Sequence, residues 1–274
     1  MGLIAVSGAT GRLGGRVARL LDGPVRLLVR DPAKAPADAE VAVADYADFD
    51  AVRTALAGAE TVLMVSAAET PDRVGQHRTF VDAAAAAGVQ HLVYTSFMGA
   101  APDATFTLAR DHWATEEHIR ASGLEFTFLR DNLYADFLPF LVGEDGVIRG
   151  PAGDGRAAVV CQDDIADAAV AVLRDPAAHA GRTYDLTGPA ALGLAEVATI
   201  IADATGREVR FHNESRDEAY ASRQVFGAPG WQVDAWVSTY TAIAAGELST
   251  VSTAVPELTG HPATSLAELL GRPL

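Results

Sequence analysis

The sequence predicts an α/β chain: a doubly wound parallel sheet with helices on both faces, followed by a smaller α/β lobe. Three observations carry this. A glycine-rich turn, Gly8-Ala9-Thr10-Gly11-Arg12-Leu13-Gly14, stands directly after an apolar run, Leu3-Ile4-Ala5-Val6, and directly before Val17, Ala18, Leu20 and Leu21, an apolar face with helical spacing. Short β-rich runs then alternate with helical stretches through the first 130 residues. Past residue 135 the rhythm changes to glycine-rich turns, short strands and separated helices.

Taken in order, the expected strands are 3–6, 25–29, 39–43, 61–65, 91–95 and 125–129. Helices are expected between them, near 12–22, 48–57, 71–87 and 107–122. Apolar strands bounded by helices argue for a parallel sheet covered on both faces. Right-handed crossovers then make it doubly wound. In the second half, 146–155 reads as a loop or hairpin, 163–173 as a helix, 183–186 as a strand, a helix from 193 to about 205, and 208–211 as a further strand. Residues 214–246 read as largely helical, broken at Gly227-Ala228-Pro229-Gly230.

Composition bounds the function. The 274 residues suffice for one large domain or two unequal ones, with a core that needs no staples. A single cysteine, Cys161, allows no internal disulfide, which fits a reducing cytoplasm; its place after Val159-Val160 suits a buried small hydrophobe better than a nucleophile. No apolar run approaches the roughly 20 residues of a membrane span, and the N-terminal apolar stretch carries the glycine turn, as a first strand does and a signal peptide does not. A net charge of −15 opposes binding to nucleic acid or to anionic membranes. An anionic ligand would need a local basic patch.

The glycine turn supplies the chemistry for such a ligand. A strand, a tight glycine turn and a helix form the first unit of a dinucleotide-binding, Rossmann-type fold. The helix start offers unpaired N–H groups and a positive dipole end to a pyrophosphate. Gly8 permits the turn, Gly11 lets backbone approach phosphate, and Gly14 lets helix pack on strand, with Thr10, Arg12 and Leu13 completing the cradle. The expected division is a cofactor domain over 1–132 with parts of 155–190, and a smaller substrate lobe over most of 133–274.

Ligands in such sheets bind beyond the carboxyl ends of the strands. After the second strand stands Arg30, where an NAD site has an acid; a guanidinium there suits a 2′-phosphate, and Arg12 and Lys34 add to the patch. This favours NADP(H) over NAD(H); the alternative is a surface pair of Arg30 with Asp31 or another acid. Asp45 and Tyr46 follow the third strand, with Asp45 read as an adenine contact or as the cap of the next helix. Ser66 and Ala67 follow the fourth and let a nucleotide cross the sheet. Thr95 and Ser96 end the fifth, with Ser96 a donor to a substrate carbonyl or a hydroxyl closing the strand.

Together these residues resemble the atypical short-chain dehydrogenase/reductases, in particular the NmrA-like group. That group includes bacterial NAD(P)H:quinone oxidoreductases, triphenylmethane reductases and the fungal nitrogen repressor. The resemblance runs through Gly8–Gly14, Arg30-Asp31-Pro32, Asp45-Tyr46, Tyr94-Thr95-Ser96, the segment 122–130, Asp163-Asp164-Ile165-Ala166 and Tyr184-Asp185-Leu186-Thr187-Gly188. It implies a cytoplasmic NADP(H)-dependent oxidoreductase acting on a small aromatic molecule. Many relatives pair as homodimers, which the helices 71–87 and 107–122 could support.

Typical short-chain dehydrogenases carry Tyr-x-x-x-Lys on the helix at 107–122. Here alignment puts Trp113 and Glu117 at those positions, leaving Glu117 to accept from the ribose. An electron-poor quinone or dye can take hydride without a strong protein acid, so positioning carries the catalysis. His112, with an ordinary pKa of about 6.5, is the candidate acid; the alternative is a solvated helix histidine. His112, Glu116 and His118 lack the paired i, i+4 histidines of a zinc helix, so no metal is expected. Phe97, Met98, Trp113, Asn132, Leu133, Tyr134 and Phe137, with Phe226 and Trp231, form the expected substrate wall, Asn132 orienting a carbonyl and the aromatics stacking on a flat acceptor. The leading reading is a quinone or aromatic-carbonyl reductase; the other is a non-enzymatic dinucleotide sensor, which needs no substrate chamber.

Overall fold

A computed structural model of the chain describes residues 2–271. The first half runs β1 (Ile4–Val6), α1 (Arg12–Leu20), β2 (Val25–Val29), β3 (Glu40–Val43), α2 (Phe49–Ala55), β4 (Thr61–Met64) and α3 (Arg73–Ala86). It continues with β5 (His91–Phe97), α4 (Thr107–Ala121) and β6 (Glu125–Asp131). Then come β7 (Val147–Gly150), β8 (Arg156–Ala157), α5 (Gln162–Arg174), β9 (Arg182–Leu186), β10 (Leu192–Gly193) and α6 (Leu194–Thr205). The chain closes with β11 (Arg210–Asn213), α7 (Arg216–Arg223), α8 (Gly230–Ala244), α9 (Ala254–Thr259) and α10 (Leu266–Leu270).

Two compact units result. Among the described residues, one comprises the chain through Phe97, with Asp111–Arg130 and Asp163–Asp185; the other comprises Met98–Arg110, Asp131–Gln162 and the chain from Leu186 onward. The central sheet has seven strands in the order β3-β2-β1-β4-β5-β6-β9. Ile4 of β1 pairs with Val25 on one side and Thr61 on the other, both parallel. The order of the strands therefore reverses between β1 and β4, the crevice where open α/β sheets bind ligands.

Both faces of this sheet are buried, which is why its strands read as unbroken apolar runs. On one face Ala5, Val62, Met64, Leu92 and Phe128 pack with Val52, Leu56, Phe80, Val81 and Ile119 from α2, α3 and α4. The alternate positions Ile4, Val6, Leu63, Val93 and Leu129 are buried as well. Beside them α5 is tied to α1: Arg16 Nε donates to Asp163 Oδ1 at 2.6 Å, and Arg174 Nη2 donates to Asp22 Oδ2 at 3.0 Å.

The second unit departs from the expected pattern. The 146–155 stretch is not a self-contained hairpin: β7 pairs in parallel with β11, and β8 pairs antiparallel with β10. These partners lie far along the chain, so no local pattern announces them. Gly155 sits here because a Cβ would lie 2.1 Å from the Ile243 carbonyl oxygen of α8. The strand expected at 183–186 joins the edge of the seven-stranded sheet as β9. The helices α9 and α10, six and five residues long, are too short to show a helical period. Among the described residues no helix is long and apolar enough to cross a membrane.

Gly14 fixes how closely α1 approaches β1. A Cβ there would lie 2.5 Å from the Gly8 carbonyl oxygen and 2.8 Å from that of Ser7, backbone that cannot swing aside. At Gly15 the nearest atom, the Ala9 oxygen, would be 3.1 Å away. Gly14→Ala is expected to lower the unfolding free energy by about 1–3 kcal/mol, read by urea denaturation, and Gly15→Ala by clearly less. Equal effects would contradict this packing.

Candidate functional site

The turn after β1 is built as a cradle for an anion. Gly8 takes φ +60°, and its carbonyl accepts from the Gly11 amide at 2.8 Å. Gly11 caps α1 without any side-chain bond, so the first turn that follows presents, at Leu13 and Gly14, amides without intrahelical acceptors. Leu13 is buried and anchors the helix, while Thr10 and Arg12 stand exposed beside the turn. Uncapped amides, a positive helix end and a cradle that a Cβ at Gly14 would fill are a donor set that fits a pyrophosphate.

Ser7, overlooked in the sequence, organises the neighbouring strand ends. Its buried hydroxyl bonds the Tyr46 phenol and accepts from the Val65 amide at 2.9 Å. Tyr46 also donates to the Val65 carbonyl at 2.7 Å, packs on Phe80 with ring centres 4.5 Å apart, and has its pKa pushed up by burial. Its phenol therefore builds the site wall. Asp45 Oδ1 accepts from Ala47 N at 2.9 Å, and the cap of α2 is Asp48, which accepts from Ala51 N at 3.0 Å. The cap role considered for Asp45 is thus corrected.

Arg30 and Lys34 are exposed beyond β2. Among the described residues Arg30 makes no ion pair with Asp31, whose carboxylate accepts from Ala33 N at 3.1 Å and starts a short 3-10 turn. Beyond β4, the Ser66 amide donates to Thr95 Oγ1 at 2.9 Å. Ala67 is held on both sides: its amide donates to His77 Nε2 at 2.8 Å, and its carbonyl accepts from Arg73 Nε at 2.9 Å.

These bonds fix the state of two buried histidines. A backbone amide can only donate, so His77 Nε2 accepts and its Nδ1–H points to Thr115 Oγ1 at 2.8 Å. Arg73 Nη2 can only donate, so His112 Nε2 accepts at 3.1 Å and its Nδ1–H points to the Tyr94 phenol at 2.9 Å. Burial, reinforced by the Arg73 charge, lowers the His77 pKa to about 3 and holds His112 well below 6.5. His112 is accordingly neither solvated nor an imidazolium at neutral pH, and the reading of it as the acid loses its basis. The missed members, Arg73 and His77, sit one helical turn apart on the sheet-facing side of α3.

Helix α4 turns His112, Thr115, Glu116 and Ile119 inward. Glu116 is fully buried and accepts from Ser96 Oγ at 2.6 Å, from Arg130 Nε and Nη2 at 2.8 and 2.7 Å, and from Arg120 Nη2 at 3.1 Å. Ser96 thereby closes its strand end and is not turned to a substrate. Glu117 is exposed and pairs with Arg120 Nη1 at 2.7 Å, while the Trp113 ring lies 5.9 Å from the Arg120 guanidinium. The expected ribose contact of Glu117 is thus replaced by a surface ion pair. The inward pair with the i, i+4 spacing is His112 and Glu116.

The second unit holds a cavity of about 790 Å³. Tyr134, Phe137, Phe140, Phe226, Trp236 and Tyr240 give it an aromatic wall, and Leu133, Val159 and Ile243 extend it. Tyr134 and Phe137 stand where the sequence put them. Trp236 takes the place expected of Trp231, one and a half turns earlier on α8. Met98 and Asn132 of the same unit are buried and are not among the residues that line this cavity. The Asn132 side chain is engaged: its amide donates to Leu248 O at 3.0 Å and to Met98 Sδ at 3.1 Å, and its oxygen accepts from Leu133 N at 2.7 Å.

The inward register of α4 has a direct test. Glu116→Ala strands the Arg130 guanidinium and is expected to cost about 3–5 kcal/mol of stability. Glu117→Ala removes an exposed pair worth about 0.2–1 kcal/mol. Denaturation curves that rank the two the other way would refute the placement.

Comparison with known proteins agrees with this architecture. The model of a family described as NAD(P)H-binding matches residues 8–176. Quinone oxidoreductase 2 of Escherichia coli is 35% identical over 97% of this chain and 96% of its own. An NADPH-dependent quinone oxidoreductase of E. coli, crystallised with NADPH, superposes with a TM-score of 0.89 over 97% of this chain and 98% of that one. An NAD(P)H azoreductase of Xenophilus azovorans is 33% identical over 97% and 96% of the two chains. Triphenylmethane reductase of Citrobacter sp., crystallised with NADP(H), is 33% identical, covers 97% and 98%, and has a TM-score of 0.87. The chain belongs to the NAD(P)H-binding family and is an NAD(P)H-dependent oxidoreductase.

Proposed function

We propose that the protein is an NADPH-dependent reductase of flat, quinone-like or aromatic carbonyl acceptors. The observation that carries this reading is the aromatic-walled cavity of about 790 Å³ in the second unit. That size suits a drug-sized, largely apolar ligand, and stacked aromatics suit a planar one. The names of similar proteins, a quinone oxidoreductase, an azoreductase and a triphenylmethane reductase, point the same way. A cofactor sensor has no use for such a chamber.

The cofactor is assigned to the first unit and the acceptor to the second. The amides of the turn at Gly8–Gly14 hold the pyrophosphate, with Thr10 and Arg12 at its side. Arg30 and Lys34 hold the 2′-phosphate through charge-assisted hydrogen bonds. Ser66, Ala67 and Thr95 give a small, fixed floor for the nucleotide, clamped by Arg73 and His77. Bound NADPH supplies a hydride. The chain's own residues orient the acceptor and exclude water, which is where the rate gain comes from. Lys34 is the sole lysine in the sequence, so a Tyr-x-x-x-Lys pair is absent. That supports a mechanism resting on acceptor electrophilicity.

The test is oxidation of NADPH and of NADH against a panel of benzoquinones, naphthoquinones and azo dyes. NADPH is expected to turn over with at least one class. Arg30→Ala is expected to weaken NADPH binding about tenfold or more, the worth of one hydrogen bond to a charged group, and to leave NADH binding nearly unchanged. No turnover with any acceptor would overturn the function. Equal affinities of the unmodified protein for both cofactors would overturn the phosphate assignment.

A further inference from the structure

At the carboxyl end of β6 lies a carboxyl group that neither the cofactor site nor the Glu116 network uses. Asp131 is 2% exposed. Its Oδ2 accepts from the Tyr134 phenol at 2.8 Å, and its Oδ1 has no hydrogen-bond partner among the described residues. Tyr134 in turn lines the aromatic cavity. The segment is rigid: Ala135 N donates to Val160 O at 2.8 Å, Val160 N to Leu133 O at 2.9 Å, and Met98 N to the Asp131 carbonyl at 2.9 Å. A buried carboxylate with an orphaned oxygen and no cation is costly. A buried carboxylic acid is not, and an acid held behind a phenol on a substrate wall is a proton store.

We propose that Tyr134 is the proton donor to the reduced acceptor and that Asp131 holds and resupplies that proton. This rests on the reductase reading above. Hydride transfer brings two electrons to the acceptor and leaves negative charge on its oxygen or nitrogen. With the Asp131 carboxyl protonated, its O–H donates across the 2.8 Å contact to the phenol oxygen and frees the Tyr134 O–H for the acceptor; that O–H bond breaks and its proton goes to the negative atom. The Asp131 carboxyl then gives its proton to the tyrosinate oxygen across the 2.8 Å contact. The Asp131 carboxylate regains a proton from solvent, so the sum is acceptor, NADPH and H⁺ giving reduced acceptor and NADP⁺. Tyr134 is the catalytic residue; Asp131 acts through it and is a positioning residue.

The electrostatics agree. Burial pushes the Asp131 pKa up to about 8, and the bond from Tyr134 offsets this only in part. Tyr134 is the titratable group that meets it. Of the nearby ionisable groups, Arg130 is engaged by Glu116 and Asp136 accepts from the Gln162 amide. Asp131 is thus mainly protonated at neutral pH and ionises on the alkaline side.

Three measurements on the full chain test this. In steady-state kinetics, kcat of the unmodified protein is expected to fall above about pH 8, as the acid is lost. Tyr134→Phe and Asp131→Asn are expected to lower kcat about tenfold or more, within the range of general acid catalysis, with KM changed less, and to abolish the alkaline limb. In thermal unfolding, the folded carboxyl binds its proton more tightly than the unfolded one, so ionisation between about pH 4 and 8 erodes stability; Asp131→Asn is expected to flatten that slope. Finally, 4-nitrophenol serves as a probe whose phenolate alone absorbs visible light. Bound to the unmodified protein, where Tyr134 donates to its oxygen and favours the phenolate, it is expected to ionise at lower pH than when bound to either variant. Variants that keep kcat within twofold and keep the alkaline limb overturn the proposal, as does a bound probe that titrates alike in all three proteins. If the unmodified protein reduces no acceptor, the reductase reading fails, and the probe titration still decides whether Tyr134 and Asp131 donate a proton.

Discussion

The missing side chain at Gly14 sets the distance between the start of α1 and the end of β1. A methyl group there would run into the carbonyls of Gly8 and Ser7. Close approach holds the uncapped amides of α1 at the carboxyl edge of the sheet, beside the point where the strand order reverses. Ser7, one residue before the turn, holds Val65 and Tyr46 to the same edge. The cradle and its walls are thus one construction. In a chain with a net charge of −15, the positive helix end of α1 is a local dipole that the distant, screened charge does not cancel.

Polarity inside the sheet layer serves the same edge. Hydrogen-bonded histidines, arginines and hydroxyls occupy the first turns of α3 and the inward face of α4, where purely apolar residues would pack more cheaply. What they achieve is fixation of loops. Ala67 is gripped at both amide and carbonyl, and Ser66 hangs from Thr95. The donor-only partners force both histidines to be neutral. Glu116 satisfies the Arg130 fork with two short bonds, so its burial does not leave charge uncompensated.

Much of this was legible in the residues, and the limits have physical causes. The parallel sheet, its helices and the glycine turn follow from local patterns: apolar runs with both faces buried, helical spacing, and glycines where backbone must meet backbone. Arg30 could be read because its place after β2 is fixed by the topology. The inward face of α4 could not, since aligning Trp113 and Glu117 with a family motif is one residue away from the face that packing selects. The state of His112, whether acid or solvated helix histidine, is not legible because sequence carries no sign of Arg73 meeting it from another helix. Asn132 looked like a substrate contact until Leu248, distant in sequence, was found bonded to it. In the second unit the pairing of β7 with β11 and the choice of Trp236 over Trp231 depend on contacts that no window of sequence contains.

The central claim is that the turn at Gly8–Gly14 and the patch at Arg30–Lys34 together bind NADPH. Hydrogen–deuterium exchange, measured with and without NADPH, addresses it residue by residue. The claim requires slowed exchange at the amides of Gly11–Gly14 and around Arg30–Lys34 when NADPH is present, with NADH protecting the turn but not the patch. Protection confined to other segments, or none at the start of α1, would contradict it.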